Sequence, residues 1–265
     1  MVSEVLTFSL FILIGVEIRE GLARPKEAVL PALCALGGMV LPALIFKALL
    51  PESNAWAVAM PTDVALAIGA LSLLGKKVNP AVRLFLLTLA VADDFFSLMV
   101  IGIFFRNDLH PASAIYTLGA AAIGFGLPKR KEIIKFLAPI STFVIVPAYI
   151  AINLFSKLDF SVITEKISLS LAIARVFGKV IGISVVAALL IRMKKFQLPL
   201  NLEIREIVGV GFLAGMGLTV SLVIAEITLH TNQELSQVRM GLLLAATISG
   251  ALGLLWLRRF PVSLD

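Results

Sequence analysis

The sequence predicts an all-α polytopic membrane protein of about nine transmembrane helices, forming one transmembrane domain over residues 1–265. Three observations predict it. The composition is 59% hydrophobic and 15% charged, with a mean hydropathy of +1.01, which is more apolar surface than a soluble chain of this length can bury. Apolar runs long enough to cross a bilayer recur along the chain. Lysine and arginine gather in alternate connections between those runs.

Taken in order, the first run, 4–20, lacks a basic n-region and a small-residue cleavage site, so it is expected to be a span and not a cleaved signal. It is followed by Arg19, Arg24 and Lys26. The second, 27–50, is followed by no basic residue. The third, 54–75, carries Pro61 and is followed by Lys76, Lys77 and Arg83. The fourth, 81–105, holds Asp93 and Asp94 and is followed by Arg106. The fifth, 111–127, precedes Lys129, Arg130, Lys131 and Lys135, and the sixth, 134–156, precedes Lys157 and Lys166. The seventh, 167–191, precedes Arg192, Lys194, Lys195 and Arg205. The eighth, 203–229, is rich in glycine and precedes Arg239. The ninth, 238–257, ends at Arg258 and Arg259.

Counted by side, sixteen basic residues stand against four. That bias predicts an outside amino terminus and a cytoplasmic carboxyl terminus in a cell (inner) membrane. It also accounts for the net charge of +6 without a nucleic-acid partner; the expected partner is the lipid bilayer. Three basic residues stay inside spans: Lys47, which can snorkel from a helix end, and Arg175 and Lys179. Cys34 is the only cysteine, so no disulfide is expected. His110 and His230 are too far apart to form a ligand pair, so no Cys/His metal site and no prosthetic cofactor are expected.

Asp93 is the thirteenth residue of the 25-residue run 81–105, which places the acid pair near the bilayer midplane. Each acid there adds roughly 2.5–3.5 kcal/mol to the insertion cost, so the pair costs about 5–7 kcal/mol. Acids carried at that cost are expected to bind something. Lys179 is the thirteenth residue of the run 167–191, at the same depth and of opposite sign. An ion pair of purely architectural purpose is the plainer account of it.

Spans two to four (about 27–105) and seven to nine (about 167–257) form comparable triplets that run in opposite directions by the charge count. Each has an interrupted middle helix. In span three, Pro61 removes a backbone donor and disfavours helix at Met60. In span eight, Gly209, Gly211, Gly215 and Gly217 weaken the helix ahead of Thr219 and Ser221. Such glycines also serve simple helix packing. Interrupted helices in matching places of inverted halves point to a transport site, and their exposed ends call for charges of both signs. Asp63 and Lys179 have those signs.

The segments Pro61-Thr-Asp-Val-Ala-Leu-Ala-Ile-Gly69, Ala90-Val-Ala-Asp-Asp94, Gly178-Lys179, Gly211-Phe-Leu-Ala-Gly-Met-Gly-Leu-Thr-Val-Ser221 and Gly15-Val-Glu-Ile-Arg19 together resemble the sodium–proton antiporter A family (NhaA) over nearly the whole chain, in order. Inverted repeats are documented for that family itself, so the topology and the resemblance are one argument. The resemblance implies Asp94 as the main sodium ligand and Asp93 as its neighbour in ion and proton exchange. It implies a salt bridge from Lys179 to Asp93, and Thr62 and Asp63 at the crossing of the broken helices. Glu17 and Glu132 would lie toward a cytoplasmic funnel that senses pH. Asn153 matches a polar position of the family.

The departures are specific. The family has twelve helices against nine here. Its first helix and the hairpin that builds its dimer are not represented, and two central helices are absent between span five and the helix that opens after Pro128. A homodimer is therefore left open. Arg175 stands where the family is usually apolar, and Val180 where it usually has proline. Arg175 lies four residues before Lys179, on the same helix face, where it could compete for Asp93.

The function expected is sodium (lithium)/proton antiport serving pH and sodium homeostasis, with no enzyme activity. Carboxylates bind sodium and protons at the same oxygens, so the two ions compete for one site. An intramembrane aspartyl protease is a poor fit, because its acids come from separate helices and one sits in a Gly-x-Gly-Asp context absent here. A sodium-coupled symporter of related fold and a shortened inactive or regulatory homologue are the remaining alternatives.

Overall fold

The computed structural model describes the chain apart from residues 1, 23–24, 76–77, 106–117, 129, 194–201, 230 and 260–265. His110, His230 and the basic residues Arg24, Lys76, Lys77, Arg106, Lys129, Lys194 and Lys195 lie outside the described residues.

Among the described residues the elements are helical throughout. The chain opens with α1 (Val2–Leu22) and α2 (Pro25–Leu49). A 3-10 segment, Asn54–Ala59, then leads through an extended stretch to α3 (Val64–Ser72). Gly75, at φ 61°, ends that unit with the left-handed turn that glycine adopts without penalty. α4 (Pro80–Phe104) starts where the sequence signals it: Asn79 caps the Ala81 amide at 2.9 Å and Pro80 fills the first turn. α5 (Ala120–Gly126) is short. α6 (Arg130–Ile140) passes through a π turn, Ser141–Ile145, into α7 (Val146–Asn153). α8 (Lys166–Arg192), α9 (Ile204–Ala214), α10 (Thr219–Thr228) and α11 (Asn232–Arg258) complete the fold.

Among the described residues, five helical segments are long and apolar enough to cross a membrane: Ala28–Leu49, Asn54–Ser72, Pro80–Phe104, Lys166–Arg192 and Asn232–Arg258. The pair α9–α10, bent by 49°, makes a sixth. Three of the nine expected spans fall outside this set for separate reasons. α1 is unbroken but carries Glu17, Arg19 and Glu20 in its last turns. The span expected at 111–127 is described only from residue 118. The span expected at 134–156 is divided by the π turn.

α8 is the hub, packed against α2, α9 and α11. Small residues set the α2–α8 distance: a Cβ on Gly178 would come within 2.8 Å of the Pro42 Cα. In a lipid environment packing of this closeness replaces the hydrophobic drive that brings helices together in water. Outward-facing Leu44, Phe104, Phe136, Phe143, Phe177 and Leu255 present the apolar surface that lipid requires.

The buried apolar residues form two clusters, stacked along the helix axes. α4 gives Ala81, Phe85 and Leu89 to one and Ile101 to the other. α8 gives Ile183 and Ala187 to the first and Leu171 and Ala174 to the second. The polar residues Thr62, Asp63, Asp93, Asp94, Arg175 and Lys179, all buried, fall between them in the sequence of each element. The fold is thus two apolar cores divided by one charged layer.

Candidate functional site

The two interruptions are built differently. In the first, Met60 keeps a helical conformation at φ −82° and ψ −50°, with its amide on Ala57 O at 3.2 Å. The helical segment therefore ends at Ala59 with Met60, the residue before Pro61, as its C-cap; the Met60–Ala57 bond holds Met60 in helical angles that the proline disfavours. Asp63, extended at φ −102° and ψ 107°, restarts it as the N-cap of α3. In the second, Gly209 and Gly211 stay inside α9, and the break falls at 215–218. Gly211 serves close approach instead: a Cβ there would sit 2.9 Å from the Val180 Cα of α8.

The charges meet the helix ends by sign. Asp63 Oδ1 accepts from the Leu66 amide of α3 at 3.3 Å. Its Oδ2 accepts from the Thr219 amide at 3.2 Å and the Thr219 hydroxyl at 2.7 Å, at the amino end of α10. One carboxylate thus caps both restarted helices, where the dipole is positive. Lys179 Nζ donates to Met60 O, to Thr62 Oγ1 at 2.8 Å and to Asp93 Oδ2 at 3.1 Å. Arg175 donates to Val58 O, Pro61 O, Gly215 O and Ser221 Oγ. Both cations therefore sit on carbonyls at the carboxyl side of the breaks. The hydrogen bonds of Arg175 go to these groups and not to Asp93, although its charge, one helical turn from Lys179, still acts on that carboxylate.

Adjacent residues on a helix point about 100° apart, and that rotation separates the two acids. Asp93 is fully buried and turned to Lys179. Asp94 faces a cavity of about 230 Å³ that it shares with Glu17, Thr62, Asp63, Ser141 and Thr219. Asp94 Oδ1 is buried and accepts no hydrogen bond among the described residues. A bare buried carboxylate is costly, so this oxygen is poised for a proton or a small cation. No three acidic, histidine or cysteine side chains among the described residues converge tightly enough to chelate a metal. A cation beside Asp94 would share the cavity with the Glu17 and Asp63 carboxyls and the Thr62, Ser141 and Thr219 hydroxyls.

Glu17 lines this same cavity. Glu132 lies in the first turn of α6, exposed, and is not among the cavity residues. Asn153 is buried with its amide on Tyr149 O at 3.3 Å, apart from the cavity. Ser141 is a cavity residue that the sequence did not single out. It enters through the π turn between Pro139 and Pro147, and two prolines eight residues apart in one helix were the available signal.

The Na+/H+ antiporter 1 family matches residues 1–135 and 127–257. The protein named Na(+)/H(+) antiporter NhaA 2 of Aliarcobacter butzleri is 29% identical over an alignment covering 95% of this chain and 80% of that protein. The Na(+)/H(+) antiporter NhaA of Haemophilus influenzae is 28% identical, over 94% of this chain and 78% of its own length. That of Acidovorax sp. is 28% identical, over 96% and 77%. The first alignment runs to 318 positions, longer than the 265-residue chain, so that relative carries sequence this chain lacks. The two family matches overlap at 127–135. With nearly its whole length matched, the chain belongs to the Na+/H+ antiporter 1 family of membrane proteins.

Proposed function

We propose that the chain exchanges sodium for protons across a membrane at the cavity beside Asp94. The observation that carries this reading is the pairing of adjacent acids with different surroundings: each keeps one buried oxygen without a hydrogen-bond partner among the described residues, but Asp94 lines the cavity and Asp93 is held by Lys179. An ionised Asp94 takes sodium, a protonated one releases it, and competition at one set of oxygens is sufficient for antiport. Thr62, Asp63 and Thr219 supply the neutral and capped groups around it. Lithium, with the same hard-oxygen preference, is a second substrate. The activity serves pH and sodium homeostasis in the cell inner membrane, without an enzymatic step or a resident cofactor.

The two triplets, 27–105 and 167–257, act as inverted repeats that rock about the cavity. The amino terminus is outside and the carboxyl terminus cytoplasmic. Leu87, Ile68, Glu17 and Ile134 in the cavity wall lie toward the helix ends where most of the basic residues gather, which supports reading the arrangement as inward-facing. Glu17, in the cavity wall, and Glu132, at the basic end of α6, tune its response to pH. A second reading, a shortened homologue that does not transport, draws on the segment that the relatives carry and this chain lacks.

Proton movement in everted vesicles, with sodium, lithium and potassium added in turn, tests both. The parent chain responds to sodium and lithium, and Asp94→Asn abolishes the response. Normal transport by Asp94→Asn sinks the assignment of the site, and silence of the parent selects the second reading.

A further inference from the structure

Arg175 is the largest fully buried side chain among the described residues, and the exchange chemistry leaves it without a task. Its guanidinium reaches both interruptions. Nη1 donates to Val58 O at 2.6 Å and to Ser221 Oγ at 2.7 Å. Nη2 donates to Pro61 O at 2.6 Å, and Nε to Gly215 O at 3.4 Å. Val58 and Pro61 flank the first break; Gly215 and Ser221 flank the second. Lys179, one turn on, reaches only the first. Space is kept for the fork from the other side: a Cβ on Gly217 would overlap Arg175 Nη2 and Pro61 O.

We infer that Arg175 is a positioning residue, a fixed cation that ties the carboxyl ends of both interruptions so that Thr62, Asp63 and Thr219 are held around the cavity as one unit. A planar fork of five donors suits four acceptors spread over two segments, which a single ammonium does not span. The guanidinium also stays charged throughout the working pH range, so the tie persists whichever of the acids carries a proton. The consequence for transport rests on the antiport reading; the tie itself does not.

Amide hydrogen exchange on the full chain in micelles, followed at residues 56–66 and 213–223, tests the tie directly. Arg175→Met raises exchange at both segments together, by about tenfold or more, as loss of charged hydrogen bonds requires. Arg175→Lys restores protection at one segment only. Exchange that is unchanged in Arg175→Met, or raised at one segment alone, overturns the proposal. If Arg175→Met does not accumulate, Ser221→Ala decides: it removes one acceptor and no charge, and a rise confined to 213–223 counts against the tie. In transport assays the same variants raise the KM for sodium about tenfold with a smaller change in maximal rate, because the cavity loosens while Asp94 is intact. A KM and a pH profile both unchanged overturn its link to the cavity. A parent that moves no protons with sodium refutes the antiport reading, and the hydrogen-exchange comparison still decides the tie.

Discussion

The two interruptions do the same structural task with opposite materials. The first is made by a proline and delivers the Thr62 and Asp63 side chains, beside the Met60 and Pro61 carbonyls, to the charged layer. The second is made by glycines and delivers backbone, the Gly215 carbonyl and the Thr219 amide, together with the Thr219 hydroxyl. Proline stops a helix by removing a donor, so the residues after it are free to carry large polar groups. Glycine stops a helix by lacking a Cβ, so what it offers is room for a neighbour. The first break supplies charge and the second supplies access, and neither makes a site alone. Asp63 spans the amino ends of both, and Arg175 spans their carboxyl ends.

Four substitutions put that contrast to the test, each read by reversible denaturation in mixed micelles. Lys179→Met strips the counter-charge from Asp93 and the cation from the Met60 carbonyl, and destabilises by about 3–5 kcal/mol, the cost of leaving a buried charge unpaired. A loss near zero would mean that Arg175 alone serves the first break. Asp63→Ala uncaps α3 and α10 at once and costs about 2–3 kcal/mol, more than one cap explains. A loss below about 1 kcal/mol would show that the two amino ends are independent. Thr219→Val removes only the hydroxyl from Asp63 and keeps the amide, costing about 1 kcal/mol. If it matches Asp63→Ala, the second break depends on side chains after all. Pro61→Ala changes stability by less than about 1 kcal/mol, because Met60 is already helical and the extended turn is held by Asp63. A larger loss would mean that the proline, beyond stopping the helix, also holds the extended turn in place of the Asp63 cap.

Much of this was legible in the sequence, and the reasons differ by residue. The broken third span was readable because Pro61 acts locally, although Met60 holds its helical conformation through a bond the rule does not see. The broken eighth span was readable from glycine density, but not which glycines: Gly209 and Gly211 stay helical, and the break falls at Gly215 and Gly217. Asp94 and Lys179 declared themselves by their depth in apolar runs. Ser141 did not, since an isolated serine in a helix has no periodic signature. Arg175 was visible as an anomaly, yet its partners lie 40 to 117 residues away and none could be named.

The sequence by itself determined what local physics controls: which segments are apolar enough for lipid, which two spans are interrupted, and that acids and cations stand in the middle of apolar runs. Tertiary structure decided which charge meets which end. It turned Asp94 to the cavity and Asp93 to Lys179, brought Asp63 to Thr219 across 156 residues, and brought Glu17 into the cavity wall. Those outcomes depend on the rotation and separation of packed helices, set by contacts such as Gly178 on Pro42, and periodicity within one helix carries no information about them.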